Sequence, residues 1–223
     1  MSAGGSSGAR GALLSALAHN RKAMVGASIA LGFVLIALIG PAIVPHDPNA
    51  FIAAPHQPPS AEHWFGTTGQ GQDVFSQTIA GARVSLIVGF AVGLAVMAIG
   101  ALVGIAAGFF GGWVDDVLSL VTNVFLIMPG LPLAVVIAAY LPAGPVTIGM
   151  VLIITGWAWN ARVLRAQTLS LREKDFVAAA IVSGEGSLRI MFREILPNMT
   201  SLLVSGFIGA TVYAIGAQVG LEF

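Results

Sequence analysis

The sequence predicts an all-α integral membrane protein, a polytopic bundle of transmembrane helices. Hydrophobic residues make up 57% of the chain and charged residues only 9%, with a mean hydropathy of +0.90. Soluble domains carry roughly 25% charged residues, so this chain cannot cover a globule with solvated groups. Five stretches are apolar over about the 20 residues that a helix needs to cross a bilayer core. Breaker clusters with fixed backbone preferences, PHDP, QPP, GGWVDD and LPAGP, fall between them. The net charge of zero argues against a nucleic-acid partner. The absence of cysteine excludes disulfides, thiolate metal sites and a cysteine nucleophile.

Residues 1–22 form an N-terminal tail whose opening, MSAGGSSGAR, has the small polar composition of a segment without fixed structure. The first span is Ala23–Val44, 22 residues without a charge. That exceeds the 7–15-residue apolar core of a signal peptide, so a retained helix is expected. Residues 45–80 form a Pro-rich loop. The core, 81–223, holds four more spans: about Gly81–Phe110, Val117–Tyr140, about Pro145–Val163, and Met199–Leu221. Between the last two lies a polar, Arg-rich stretch, 171–198, reading LREKDFVAAAIVSGEGSLRIMFREILPN. Its Gly184–Gly186 break and Pro197 stop predict two short surface helices joined by a hinge.

Orientation follows from the basic residues. Of ten Lys and Arg, three precede the first span and six lie between Arg162 and Arg193, with Arg83 the exception. Four spans separate the two basic regions, so both lie on one side, which the positive-inside rule makes cytoplasmic. The N-terminus and the 171–198 loop are then cytoplasmic, the 45–80 loop faces outward, and the fifth span ends outward at Phe223.

Within the spans, Gly89 and Gly93, then Gly100, Gly104, Gly108 and Gly112, form a face of small residues on which another backbone can approach closely. That face fits a partner subunit, a pathway wall, or packing within the chain. Pro129 and Pro132 inside the third span predict a kink, either a hinge or a static bend. No Asp, Glu, Lys or His lies in a span core, which argues against proton or sodium coupling and for an external energy source. Arg162, Arg165 and Asp115–Asp116 are expected at span ends, where snorkelling and a solvated turn account for them. His46, His56, His63, Asp47, Glu62 and Asp73 share the outward loop, but their spacings match no ligand pattern, so no metal site is expected. Asn198–Thr200 matches a glycosylation acceptor by accident, since it abuts the cytoplasmic loop. No phosphate-binding loop, metalloprotease, nucleophile-elbow or dinucleotide signature is present, so neither catalysis nor a cofactor is expected.

The 171–198 stretch resembles the cytoplasmic EAA loop of ABC-importer permeases, with Ala178-Ala179-Ala180, then Gly184, then Ile195-Leu196-Pro197-Asn198. More of the chain is similar to the second permease of dipeptide and oligopeptide importers: HWFGTTGQGQDVFSQTIAGARVSL at His63–Leu86, GFFGGWVDD at Gly108–Asp116, SLREKDFVAAA at Ser170–Ala180 and REILPN at Arg193–Asn198. The resemblance implies a type I ABC-importer (MetI-like) bundle in a bacterial or archaeal plasma membrane, with five spans present of an expected six. It implies a coupling helix docked in a groove of a separate ATP-hydrolysing subunit. Phe176, Val177 and Ile181 would be apolar anchors, Ala179 and Ala180 would allow close approach, and Gly184 the bend after the helix. Arg172, Lys174 and Asp175 would form a polar rim, and Ala178, Leu196 and Pro197 complete the motif. The implied partners are a second homologous permease, two ATP-binding cassette subunits, an outward solute-binding protein and the lipid bilayer.

Three departures stand out: Ala178 replaces the motif's Glu, Glu194 stands where the family often has His, and the chain stops at Phe223 before a sixth span. A product truncated before its last helix is therefore expected. The resemblance implies peptide import driven by ATP hydrolysed elsewhere, with same-fold importers of oligosaccharides or nickel as the nearest alternative. A passive channel or scaffold, indifferent to Gly184, and a membrane-embedded enzyme, which would need paired ionisable groups, are the competing classes.

Overall fold

A computed structural model describes residues 20–222; residues 1–19 of the tail, Arg10 included, and Phe223 lie outside the described residues. The described chain is helical, and its only strand-like pairing is one isolated bridge, Thr67–Asp73. Among the described residues, four helices are long and apolar enough to cross a membrane, five if one bent pair counts as a span. The chain divides into two compact units, Met1–Leu86 and Ile87–Phe223.

In the first unit, α1 spans Arg21–Ile43. The Asn20 side-chain oxygen starts it by accepting the backbone N–H groups of Lys22 and Ala23 at 3.1 and 3.3 Å, which satisfies two of the helix's orphan donors. Most of its large apolar side chains are exposed, Leu38 at 72%. The loop that follows is held by its own polar contacts. Thr67 donates its hydroxyl to the Ala54 carbonyl at 2.7 Å and accepts the Gln57 N–H at 2.8 Å. Asp73, wholly buried, caps the next helix by accepting the Ser76 N–H and hydroxyl at 2.8 and 2.7 Å. Burial by itself would raise the Asp73 carboxyl, but the Ser76 hydrogen bonds and the His63 contact outweigh it and hold the group below the usual carboxylate range. That cap starts α2, Val74–Phe110, earlier than the predicted Gly81.

In the second unit, α3 covers Gly112–Ile127, α4 Gly130–Ala138, α5 Pro145–Arg172 and α6 Asp175–Val182. The expected third span, Val117–Tyr140, is instead α3 and α4 meeting at 82°. Pro129 has no N–H to continue the ladder and excludes the helical region for its predecessor, and Met128 is accordingly extended, with φ −68° and ψ 132°. Pro132 falls in the first turn of α4, where its missing N–H costs nothing. α5 runs on past the predicted Val163 to Arg172, because Leu164 and Thr168 continue its buried face.

Pro197 does not stop the chain. α7 (Ser187–Ile190) passes into a π turn, Met191–Ile195, then a short α8 (Leu196–Asn198) and α9 (Thr200–Glu222). The Leu196 N–H reaches back to the Met191 carbonyl. This i→i+5 bond widens the turn just before the proline ring, whose clash with the preceding turn would otherwise break the helix. One apolar cluster, Met97, Ile105, Leu164, Val177, Ile190, Met191, Ile195 and Met199, fastens the 171–198 loop to the bundle. A second, including Val88, Val92, Ile148, Leu152 and Ala214, packs elsewhere in the same unit.

Candidate functional site

The 171–198 loop presents a short helix with two unlike faces. Asp175 stands in the first turn of α6, where its charge complements the helix N-terminus. Val177 is wholly buried in the cluster of Ile105, Leu164, Ile190, Met191, Ile195 and Met199, with Phe176, Ala180 and Leu196 packed against it. Val177 was expected as an anchor for a partner; it instead fastens α6 to its own bundle, and Phe176 is half-buried beside it. The open face carries Ala178, Ala179, Ile181 and Val182, the last two 55% and 89% exposed. Arg172, Lys174, Asp175 and Pro197 are also exposed. Because Ala178 faces out, the missing motif carboxylate removes a surface charge and leaves no core group unpaired. Val182, Leu188 and Phe192, all exposed, were not singled out from the sequence. The four-residue step from Leu188 to Phe192, which places both on one helical face, was the available signal.

The helix ends in a Schellman motif. Gly184 adopts φ +77°, its N–H reaches the Ile181 carbonyl at 3.0 Å, and the Glu185 N–H reaches the Ala180 carbonyl at 3.1 Å. This is the left-handed position that only glycine fills without strain.

The glycine face packs within the chain. A Cβ at Gly100 would lie 2.8 Å from the Asn160 Cβ, one at Gly108 2.8 Å from the Thr168 Cβ, and one at Gly104 would collide with the Ala161 carbonyl oxygen. Gly89 and Gly93 meet Ile215 and Thr211 of α9 in the same way. These glycines set α2 directly against α5 and α9. Gly112 does not belong to the face: with φ +52° and open space around it, it serves the turn between α2 and α3.

Of the charged groups assigned to snorkelling and a solvated turn, Asp115, Arg162 and Arg165 are paired, while Asp116 is exposed. Asp115, 16% exposed at its side chain, accepts Arg165 Nε and Nη2 at 2.5 and 2.6 Å. Arg162 donates Nη2 to Asn123 Oδ1 at 2.8 Å. Both contacts join α3 to α5.

Beside the break between α3 and α4 lies an open cavity of about 600 Å³. Val92, Phe125, Leu152 and Leu202 supply apolar walls, while Thr155, Asn160, Ser205 and Tyr213 supply uncharged polar groups. In the 45–80 loop, His46, His63 and Asp73 bring ligating atoms within 4.8 Å of one another, a convergence that their sequence spacing hid.

Residues 100–223 match the family described as binding-protein-dependent transport system inner membrane component. Residues 13–59 match a second, described as the N-terminal TM domain of oligopeptide transport permease C. The oligopeptide transport system permease protein of Bacillus subtilis is 35% identical over 188 residues, 83% of this chain and 62% of that protein. The dipeptide transport system permease protein of the same organism is 34% identical over 208 residues, covering 93% and 65%. An oligopeptide transport system permease protein of Mycobacterium tuberculosis is 32% identical over 212 residues, covering 92% and 72%. The chain thus spans under two thirds of the length of the two Bacillus relatives. A helical, membrane-embedded chain with these matches belongs to the family of binding-protein-dependent transport system inner membrane components.

Proposed function

We propose that this chain is a permease subunit of an ATP-driven ABC importer, translocating dipeptides and oligopeptides delivered by a solute-binding protein. The observation that carries the reading is the two-faced α6: one side locked into the bundle by Val177, the other offering Ile181 and Val182 to solvent beside the Gly184 cap. A helix anchored in this way moves with the bundle when its open face is pushed, which is what coupling to a separate ATPase requires. The names of the relatives support a peptide cargo. So does the cavity, whose Thr155, Asn160, Ser205 and Tyr213 can hydrogen-bond peptide amides without selecting a side-chain charge.

In this reading the N-terminus and the 171–198 loop face the cytoplasm of a bacterial or archaeal cell, two ATPase subunits dock on the loops of this chain and a second homologous permease, and the 45–80 loop faces the binding protein. ATP-driven closure of the ATPases moves α6 and rocks the spans. Capture of the ATPase encoded beside this chain, in detergent, tests it. The wild-type chain retains the ATPase, while Val182→Asp and Gly184→Trp lose it. Retention by both variants at the wild-type level overturns the reading, as does failure of the wild-type chain to capture the ATPase.

A further inference from the structure

The buried polar cluster of the 45–80 loop has the chemistry of a metal site. His63 is 4% exposed and Asp73 is fully buried. Their contact, His63 Nδ1 to Asp73 Oδ1, is 3.1 Å. Facing a carboxylate, Nδ1 carries the proton and Nε2 the lone pair. His46 contacts the Glu62 carbonyl through Nε2 at 3.2 Å; a carbonyl only accepts, so Nε2 is protonated and Nδ1 holds the lone pair. No hydrogen bond among the described residues engages either lone-pair nitrogen. The two rings lie 5.1 Å apart, centroid to centroid. A carboxylate that fixes the tautomer of one imidazole beside a second imidazole is the arrangement that makes histidines good ligands.

We propose that His46, His63 and Asp73 form a binding site for a divalent transition-metal ion of the zinc type, with His46 Nδ1 and His63 Nε2 as nitrogen ligands and Asp73 holding the His63 ring in place through Nδ1. Two imidazole nitrogens suit zinc and its neighbours better than calcium or magnesium, which take oxygen ligands. Asp73 keeps its capping role, because Ser76 is held by Oδ2 and only Oδ1 faces His63. The ion would tie the residues after α1, the middle of the loop and the start of α2 together, in a segment that has no cysteine to cross-link and a single isolated bridge.

The test is a zinc titration of the purified full chain, carrying no polyhistidine tag, in detergent against a chelating dye. His46→Gln retains a donor for the Glu62 carbonyl and removes the ring lone pair, and His56→Ala serves as the control outside the cluster. The expected result is one zinc ion per chain for wild type and His56→Ala, an affinity lowered at least about tenfold in His46→Gln, and a zinc-dependent rise in melting temperature that His46→Gln lacks. Absence of saturable zinc binding in the wild type overturns the proposal. So does equal affinity in wild type and His46→Gln.

Discussion

Arg165 and Asp115 stand 50 positions apart in sequence and meet through two parallel hydrogen bonds, Nε to Oδ1 and Nη2 to Oδ2. The pair joins α3 to α5, and Ser119 donates its hydroxyl to the same Asp115 Oδ1 at 2.9 Å. Asp115→Ala strands the guanidinium beside apolar helices. The side chain of Arg165 is 35% exposed, so the cost falls below that of a fully buried pair, on the order of 2 kcal/mol. Thermal unfolding in detergent is expected to show Asp115→Ala and Arg165→Leu each destabilised, and the double variant less destabilised than the sum. Strict additivity would mean that the two side chains do not interact.

Gly104 places the backbone of α2 against the Ala161 carbonyl. Gly104→Ala therefore forces the helices apart and is expected to destabilise the chain by about 1–3 kcal/mol, as overpacking does. Gly26, in α1, has open space at its Cβ position, so Gly26→Ala is expected to be neutral or slightly stabilising. Paired melting curves of the two variants check this.

Val177 and Ile181 lie one turn apart on α6 and should separate stability from coupling. Val177→Ala removes two methyl groups from a closed cluster and is expected to cost about 2 kcal/mol. Ile181→Ser, at 55% exposure, is expected to leave the melting temperature almost unchanged and to lower peptide-stimulated ATP hydrolysis in the assembled transporter. The opposite pattern would place Ile181 in the core and Val177 on the docking face.

Gly184→Ala puts a Cβ on a residue at φ +77°, at a cost of roughly 1–2 kcal/mol to the helix end. Gly186 has an extended backbone, φ −69°, and open space around it, so Gly186→Ala is expected to be silent. Transport assays on the two variants should show loss only for Gly184→Ala, and a substitution-tolerant Gly184 would remove the cap from the mechanism.

The spans were legible because lipid exposure leaves a simple trace, long runs without charge, and the loop was legible because its Gly and Pro positions punctuate a polar stretch. Long-range contacts left no such trace. Nothing local to Asp115 announces Arg165, and nothing in the spacing of His46, His63 and Asp73 shows that folding gathers them. Pro129 revealed that the third span bends, but the 82° angle depends on how α3 and α4 each pack. Phe176, Val177 and Ile181 look equivalent as apolar residues of a short amphipathic helix. Only the position of the cluster beneath them decides which one is buried. Pro197 misled for a related reason: the reading of proline as a stop assumes an α-helical turn before it, and the turn there is wider.

That wider turn fixes a rotation. A π turn accommodates one residue more than the α-helix around it, so the Met191–Ile195 segment is equivalent to a single-codon insertion absorbed without breaking the helix. Each residue advances an α-helix by about 100°. Excising one residue here would therefore swivel everything before it by that angle relative to α9, carrying Ile190 from 1% exposure toward the outside and turning the face of α6 away from whatever it meets. The segment works as a phase setting between the loop and the last described span.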